Sequence, residues 1–237
     1  MGVAYNPKIV TDGLVLYLDA ANPKSYPGSG TTWNDLSVNK YSAIIRHSPT
    51  FSNGEFLFNG ANDYIELAST GRRFSWAPAG STGYRILTIE VWVKTSDATG
   101  FIVSKPWNGS GVYNYMITPT TLQTVVATYQ SASFTSIADG TWKHVVAILN
   151  ETQKALYVNG KLHLAFTNHN EVSDTPNSGD SSIPLSVMTL YPYGDGVWNY
   201  PTHAINGSMS NFRMYGRQLS ESEILQNFNA TRGRFGI

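Results

Sequence analysis

The stretch DGTWKHVVAILNETQKALYVNGKL, Asp139 to Leu162, decides the fold. Trp142, His144, Val146 and Ile148 alternate with Lys143, Val145, Ala147 and Leu149, and a period of two in so β-rich a run predicts a strand rather than a helix. Asn150 to Gln153 is polar enough for a loop, Ala155 to Val158 resumes the apolar pattern, and Asn159-Gly160 is the pair that tolerates positive φ at both corners of a type I′ hairpin. The unit is therefore a β-meander. Both alternating sets of its first strand are largely apolar, which places that strand mid-sheet and covered on more than one face, with Trp142 as its largest anchor.

Strands recur on either side of it. Leu14 to Ala20 alternates, and the Pro- and Gly-rich loop Asn22 to Thr32 delivers Trp33 as a cap over the core. Phe56 to Phe58 and Tyr64 to Leu67 read as a hairpin around Asn59-Gly60-Ala61-Asn62-Asp63. Leu87 to Thr95 sets Ile89, Val91 and Val93 on one face and Thr88, Glu90, Trp92 and Lys94 on the other, with Glu90 either solvated or held by a partner. Phe101 to Ser104, Tyr113 to Ile117 and Leu122 to Tyr129 are further strands, and Ala68 to Gly83 and Asn168 to Ile183 are long polar loops. One helix is expected: Ser220 and Glu223 fit a capping box, with Ile224, Leu225 and Phe228 on one face of Glu221 to Ala230, packed on the sandwich edge.

The expected fold is all-β, a two-sheet antiparallel sandwich with one short C-terminal helix, formed by residues 1–237 as a single domain with an arm at 1–12, a helix at 220–230 and a tail at 231–237. Hydrophobic residues make up 41% of the chain and charged residues only 14%. The latter is well below the roughly one quarter usual in soluble domains. Ser, Thr, Asn and Gly must carry solubility. Sixteen basic residues balance sixteen acidic ones without a like-charged run, which argues against nucleic acid as a partner. The chain has no cysteine, which removes disulfides, thiolate metal sites and cysteine nucleophiles. No leader pattern and no apolar run of about 20 residues is seen, so membrane insertion is not expected.

Four stretches carry a family resemblance, in order along the chain: FNGANDYIEL (Phe58 to Leu67), LTIEVWVKT (Leu87 to Thr95), the Trp-Lys-His-Val strand with Leu-Tyr-Val-Asn-Gly, and INGSMSNFRMYGRQLSESEI (Ile205 to Ile224). Together they resemble the laminin-G-like domains of the concanavalin A-like lectin/glucanase superfamily. The resemblance implies a jelly-roll sandwich; it does not by itself imply a ligand or a reaction.

Glucanases of that superfamily carry an E-x-D-x-x-E type strand, because nucleophile and acid must project from one face at a fixed spacing. No stretch here supplies it, nor a G-x-S-x-G elbow, nor histidines at metal spacing. His144 reads as a structural histidine, and no catalytic residue is assigned. Calcium at a loop rim is a property the resemblance brings; Asp63 with Asn59, Asn62 and loop carbonyls are the hard oxygens that would suit it, although Asn-Gly and Asn-Asp are also what a tight turn wants. No other cofactor is expected. The second candidate site is aromatic. Tyr191, Tyr193, Trp198 and Tyr200, with Asp195 among them, crowd the loop Met188 to His203, and Trp107 and Tyr113 bound another; such rings can stack on a sugar, anchor a protein contact or cap the sandwich.

LSESEILQNFNATRGRFG (Leu219 to Gly236) and VTDGLVLYLDAANPKSYPGSGTTWNDLS (Val10 to Ser37) look like the ending and beginning of laminin-G-like domains in structural proteins of large tailed bacteriophages. That likeness implies a non-enzymatic virion protein, a decoration, neck or tail-fibre component assembled in the host cytoplasm. It would be present in multiple copies, contacting other virion proteins and a host-surface glycan. The alternative is a calcium-dependent carbohydrate-binding lectin module, and a glycoside hydrolase is the weaker class.

Overall fold

A computed structural model describes residues 7–67, 74, 86–108, 112–125, 129–150, 153–167, 184–189 and 203–237. The first strands are β1 (Leu14–Asp19), β2 (Thr32–Trp33), β3 (Ala43–Arg46), β4 (Thr50–Ser52), β5 (Glu55–Asn59), β6 (Tyr64–Leu67), β7 (Leu87–Thr95) and β8 (Val103–Asn108). They are followed by β9 (Val112–Ile117), β10 (Thr121–Val125), β11 (Tyr129–Ser133), β12 (Trp142–Leu149), β13 (Gln153–Val158), β14 (Lys161–Thr167), β15 (Leu185–Val187) and β16 (Asn206–Tyr215). One sheet runs β14-β13-β12-β7-β16-β5-β4, with β1 on the distal half of β16; the other runs β11-β10-β9-β8-β15-β6-β3-β2. Among the described residues every strand pair is antiparallel, for instance β12 with β7 and β16 with β7. Ile89, Val91, Val145, Ala147, Phe212 and Met214 of the first sheet share one core with Ile65, Leu67, Val103, Ile117, Leu122 and Val187 of the second. Full burial of each Val, Leu, Ile, Phe or Met side chain among them stabilises by roughly 1.5–3 kcal/mol.

The expected meander is β12-β13-β14, and its tight turn has Asn159 at φ 51° and Gly160 at φ 76°. The Asn159 side chain adds a cross-strand tie by accepting the His144 N–H at 2.9 Å. β12 lies between β7 and β13 and is buried on both faces from His144 onward. Trp142 is not its anchor. Standing at the first position of β12 on the outward face, it is only half-buried, packed on Phe235 at 4.7 Å with the Lys94 ammonium 5.0 Å from its ring. Among the described residues Trp33 and Trp92 are the fully buried tryptophans, and Ile148 is buried as expected.

Phe56 to Phe58 and Tyr64 to Leu67 do not form a hairpin. β5 pairs with β4 and β16, β6 pairs with β3 and β15, and the two strands lie in different sheets. Turn chemistry at Asn59 to Asp63 is real, but it carries the chain across the sandwich; alternation alone does not say which strand is the partner. The expected strand Leu122 to Tyr129 is likewise two, β10 and β11, paired from Thr121↔Ser133 to Val125↔Tyr129.

The helix α1 (Glu221–Thr231) begins at the expected capping box: Ser220 Oγ accepts the Glu223 N–H and Glu223 Oε2 accepts the Ser220 N–H. A 3-10 turn, Arg232–Phe235, follows. The pair does not sit on the sandwich edge. It covers the outward face of the first sheet, where Trp92 stacks on Phe235 at 3.9 Å and donates its indole N–H to Thr231 Oγ1. Its buried residues are Ile224, Asn227 and Thr231, while Leu225 points outward.

Candidate functional site

Registers Asn206↔Asn59, Gly207↔Thr95 and Trp142↔Lys94 bring the end of β5, the end of β7 and the starts of β12 and β16 to one rim of the sandwich. A groove of about 870 Å³ opens there, with Asn59, Asp63, Lys94, Asp97, Asn206 and Ser208 in its lining. Strand order holds these groups together and local bonds orient them. Thr95 Oγ1 donates to the Asn206 carbonyl at 2.6 Å, and Asp97 Oδ1 accepts the Thr99 N–H and hydroxyl at 2.8 and 2.7 Å. Burial alone would raise the Asp97 pKa, but the bonds from Thr99, Asn206 and Gly100 together outweigh it and hold the carboxyl below its ordinary range. Gly207 is required for close approach, since a Cβ there would lie 2.5 Å from the Lys94 carbonyl oxygen. Lys94 is half-exposed, 3.7 Å from Glu55 Oε1 and over the Trp142 ring. The groove thus offers an ammonium, carboxylates, amides and hydroxyls beside an aromatic face, a set able to hydrogen-bond hydroxyl-rich or peptide-like ligands.

The Asn59–Asp63 turn on this rim spends its oxygens on itself. Asn59 Oδ1 accepts the N–H groups of Ala61, Asn62 and Asp63, Asn59 Nδ2 donates to Asn62 Oδ1, and Asp63 Oδ2 accepts the Asn59 N–H. Burial raises the Asp63 pKa, only partly offset by that last bond. Calcium takes 6–8 oxygens and favours ionised carboxylates. Asp63 is the turn's one acid, and among the described residues no group of three or more His, Cys, Asp or Glu is placed to hold a metal. The donor set fits a turn rather than a calcium cage.

Tyr191, Tyr193, Asp195, Trp198 and Tyr200 lie outside the described residues, as does all but Phe74 of 68–85 and the whole of 168–183. The two ends of the aromatic segment are described. Met188 N–H bonds the Ile102 carbonyl, Phe101 N–H bonds the His203 carbonyl, and Ile205 N–H bonds the Met188 carbonyl, so the segment leaves and returns at the groove's rim. Trp107 and Tyr113 are in β8 and β9, whose pairing runs from Val103↔Ile117 to Asn108↔Val112. Their backbone therefore stands at the far end of β8 from Ile102, and the structure separates them from the ends of 188–203.

Glu90 faces outward on β7 and is 0% exposed beneath α1. It bonds Arg213 Nη1, His144 Nε2 at 2.9 Å and Asn227 Nδ2 at 2.7 Å. Burial pushes its pKa up, but Arg213, His144 and Asn227 together outweigh that and hold it at about 2. Burial, the largest single effect on Arg213, opposes its charge, but Glu90 together with Tyr17 and Tyr215 outweighs it and holds Arg213 above its ordinary value. The expectation that His144 is structural agrees with this network. Sequence reasoning missed Arg213 and Asn227; the available signal was Arg213 flanked by Phe212 and Met214 within the strand NFRMY. It also missed Lys94, Asp97 and Asn206 as one groove, because the three approach only through strand pairing.

A family model described as the concanavalin A-like lectin/glucanases superfamily, of laminin-G type, matches residues 59–225. No curated protein matches the chain. Among solved structures, Trypanosoma rangeli sialidase in complex with 2,3-difluorosialic acid is similar with a TM-score of 0.65 at 17% identity, over 98% of this chain and 36% of that one. Domain 4 of an extracellular arabinanase from Geobacillus stearothermophilus, in complex with arabinotriose, gives 0.64 at 15%, over 90% of this chain and 97% of that one. The binding domain of botulinum neurotoxin DC in complex with rat synaptotagmin II gives 0.62 at 15%, over 93% of this chain and 52% of that one. The chain thus spans about half of the toxin domain and about a third of the sialidase.

Proposed function

The chain belongs to the laminin-G-like domains of the concanavalin A-like lectin/glucanase superfamily, and from that premise we propose that it is a non-catalytic binding module acting in adhesion and assembly. The observation that carries the reading is the rim groove, where polar side chains from separate strands converge beside both ends of the aromatic segment. A hydroxyl-rich glycan is its ligand class, with Lys94, Asn206 and Ser208 bonding hydroxyls and the rings of 188–203 supplying stacking surface. The arabinanase domain complexed with arabinotriose lends support to a glycan, and the toxin domain complexed with synaptotagmin II supports a protein partner for the same fold.

Catalysis is disfavoured on two grounds. Paired carboxylates must reach the sugar from both sides of the scissile bond. Asp63 is committed to a backbone N–H of its own turn, Asp97 to those of Thr99 and Asn206, and Glu90 is sealed under α1. The setting we assign is a bacteriophage virion, as a decoration, neck or tail-fibre component, on the strength of the likeness at Val10 to Ser37 and Leu219 to Gly236. Multiple copies would convert weak single contacts into firm attachment.

Two experiments test this. A glycan array read together with a reducing-sugar assay should show binding without cleavage; release of sugar, lost on Asp63→Asn or Asp97→Asn, would make the chain a hydrolase. A mass-spectrometric inventory of purified particles should contain the protein. Its absence would leave the binding module and remove the virion.

A further inference from the structure

Seven buried side-chain polar atoms among the described residues have no hydrogen-bond partner, and four of them belong to two neighbouring side chains: Asn211 Oδ1 and Nδ2, and Arg213 Nε and Nη2. Both residues are 0% exposed. They follow the bulge between Met209 and Asn211 and occupy alternate positions of β16. Both therefore face outward, about 7 Å apart at their bases. Cross-strand partners form the walls, Asp19 and Trp92 beside Asn211, Tyr17 and Glu90 beside Arg213. The 3-10 turn forms the roof: Arg234 binds both Asp19 oxygens at 2.9 and 3.0 Å, and Phe235 lies on Trp92.

A buried polar group left without a partner is costly, so four such atoms on two successive outward positions of one strand point to a bound species. Its chemistry is set by what the four atoms require. Arg213 Nε and Nη2 and Asn211 Nδ2 only donate, and Asn211 Oδ1 only accepts. The occupant must accept from a guanidinium and donate to an amide oxygen. Chloride cannot donate and ammonium cannot accept. Charge decides in the same direction, because Arg213 is matched by Glu90 and Arg234 by Asp19, and an added ion would be uncompensated in a site closed to solvent. We infer that Asn211 and Arg213 form an internal hydration site, one or two water molecules bridging them beneath the C-terminal turn and completing the polar network that holds the turn to the sheet. The site is separate from the rim groove and does not depend on the glycan reading.

The test is water-proton Overhauser spectroscopy on the full ¹⁵N-labelled chain, with a crystal soaked in bromide. The Arg213 Nε–H is expected to show a dipolar cross-peak to a long-lived water, and a solvent peak should lie within hydrogen-bond distance of Asn211 and Arg213 with no anomalous bromide signal. A missing water cross-peak, or bromide density at the site, would overturn the inference. Asn211→Leu, checked for a wild-type-like amide spectrum, should lose the cross-peak. Its persistence at full intensity would show that Arg213 alone holds the water and that the two-residue site is wrong; if the variant does not fold, the wild-type measurements decide.

Discussion

Asn227 Nδ2 donates to Glu90 Oε2 at 2.7 Å, while Asn227 Oδ1 accepts the Val10 N–H at 2.8 Å. One side chain of α1 thereby joins the buried carboxylate of β7 to the N-terminal arm, and Tyr215 Oη, 3.0 Å from the same Nδ2, donates to the Val10 carbonyl at 3.1 Å. Asn227→Leu keeps the branched shape but leaves a backbone N–H and part of a carboxylate unpartnered. It should cost about 3 kcal/mol, against about 1 kcal/mol for Ser220→Ala at the helix cap. Denaturant melts of the two variants check the order, and equal losses would mean that the helix cap matters as much as the buried junction.

Glu90 makes stability depend on acid. Its folded pKa of about 2 lies below the ordinary 4.5, so the unfolded chain takes up the proton first as pH falls. The contribution is full above pH 4.5 and is lost between 4.5 and 2, on the order of 3 kcal/mol in all. Glu90→Gln should be less stable than wild type at pH 7, with the gap narrowing through that window. A gap that stays constant down to pH 2 would show that Glu90 is not the titrating group.

The tryptophans should separate clearly. Trp92 is fully buried with its N–H bonded to Thr231, whereas Trp142 is half-buried at the rim. Trp92→Ala should cost about 3–5 kcal/mol or prevent folding, and Trp142→Ala about 1–2 kcal/mol, in proportion to the apolar surface each removes from water. Thermal melts that rank them the other way would place the anchor back on β12.

Calcium should have little effect. Asn59 Oδ1 already takes three N–H groups and Asp63 is the only acid of the turn. Millimolar calcium or a chelator should move the melting temperature by less than about 1 °C, since a bound ligand would stabilise by mass action. A rise of several degrees with calcium would restore the calcium-dependent lectin.

Much of the architecture was legible because it rests on period and turn chemistry: the alternation of Leu87 to Thr95, the Asn159-Gly160 turn and the Ser220–Glu223 box all stand as read. What escaped depends on pairing across long separations. Asn59 to Asp63 has the chemistry of a hairpin whether its strands share a sheet or not, and only the register of β5 with β16 settles it. Trp142 and Trp92 occupy comparable outward positions on neighbouring strands, and the path of α1 and its 3-10 turn decides which is buried. The groove has no local signature at all, since Asp97 and Asn206 are 109 residues apart and meet through one hydrogen bond.

The most direct measurement of the central claim is binding of immobilised glycans by the wild-type chain and by Ser96→Trp, a substitution at an exposed position of the groove lining that is remote from the core. The account predicts saturable binding by wild type, unaffected by chelation, and at least a tenfold loss in Ser96→Trp at unchanged melting temperature, a difference of about 1.4 kcal/mol or more. Equal binding by the two proteins, or no binding of any glycan by either, would contradict it.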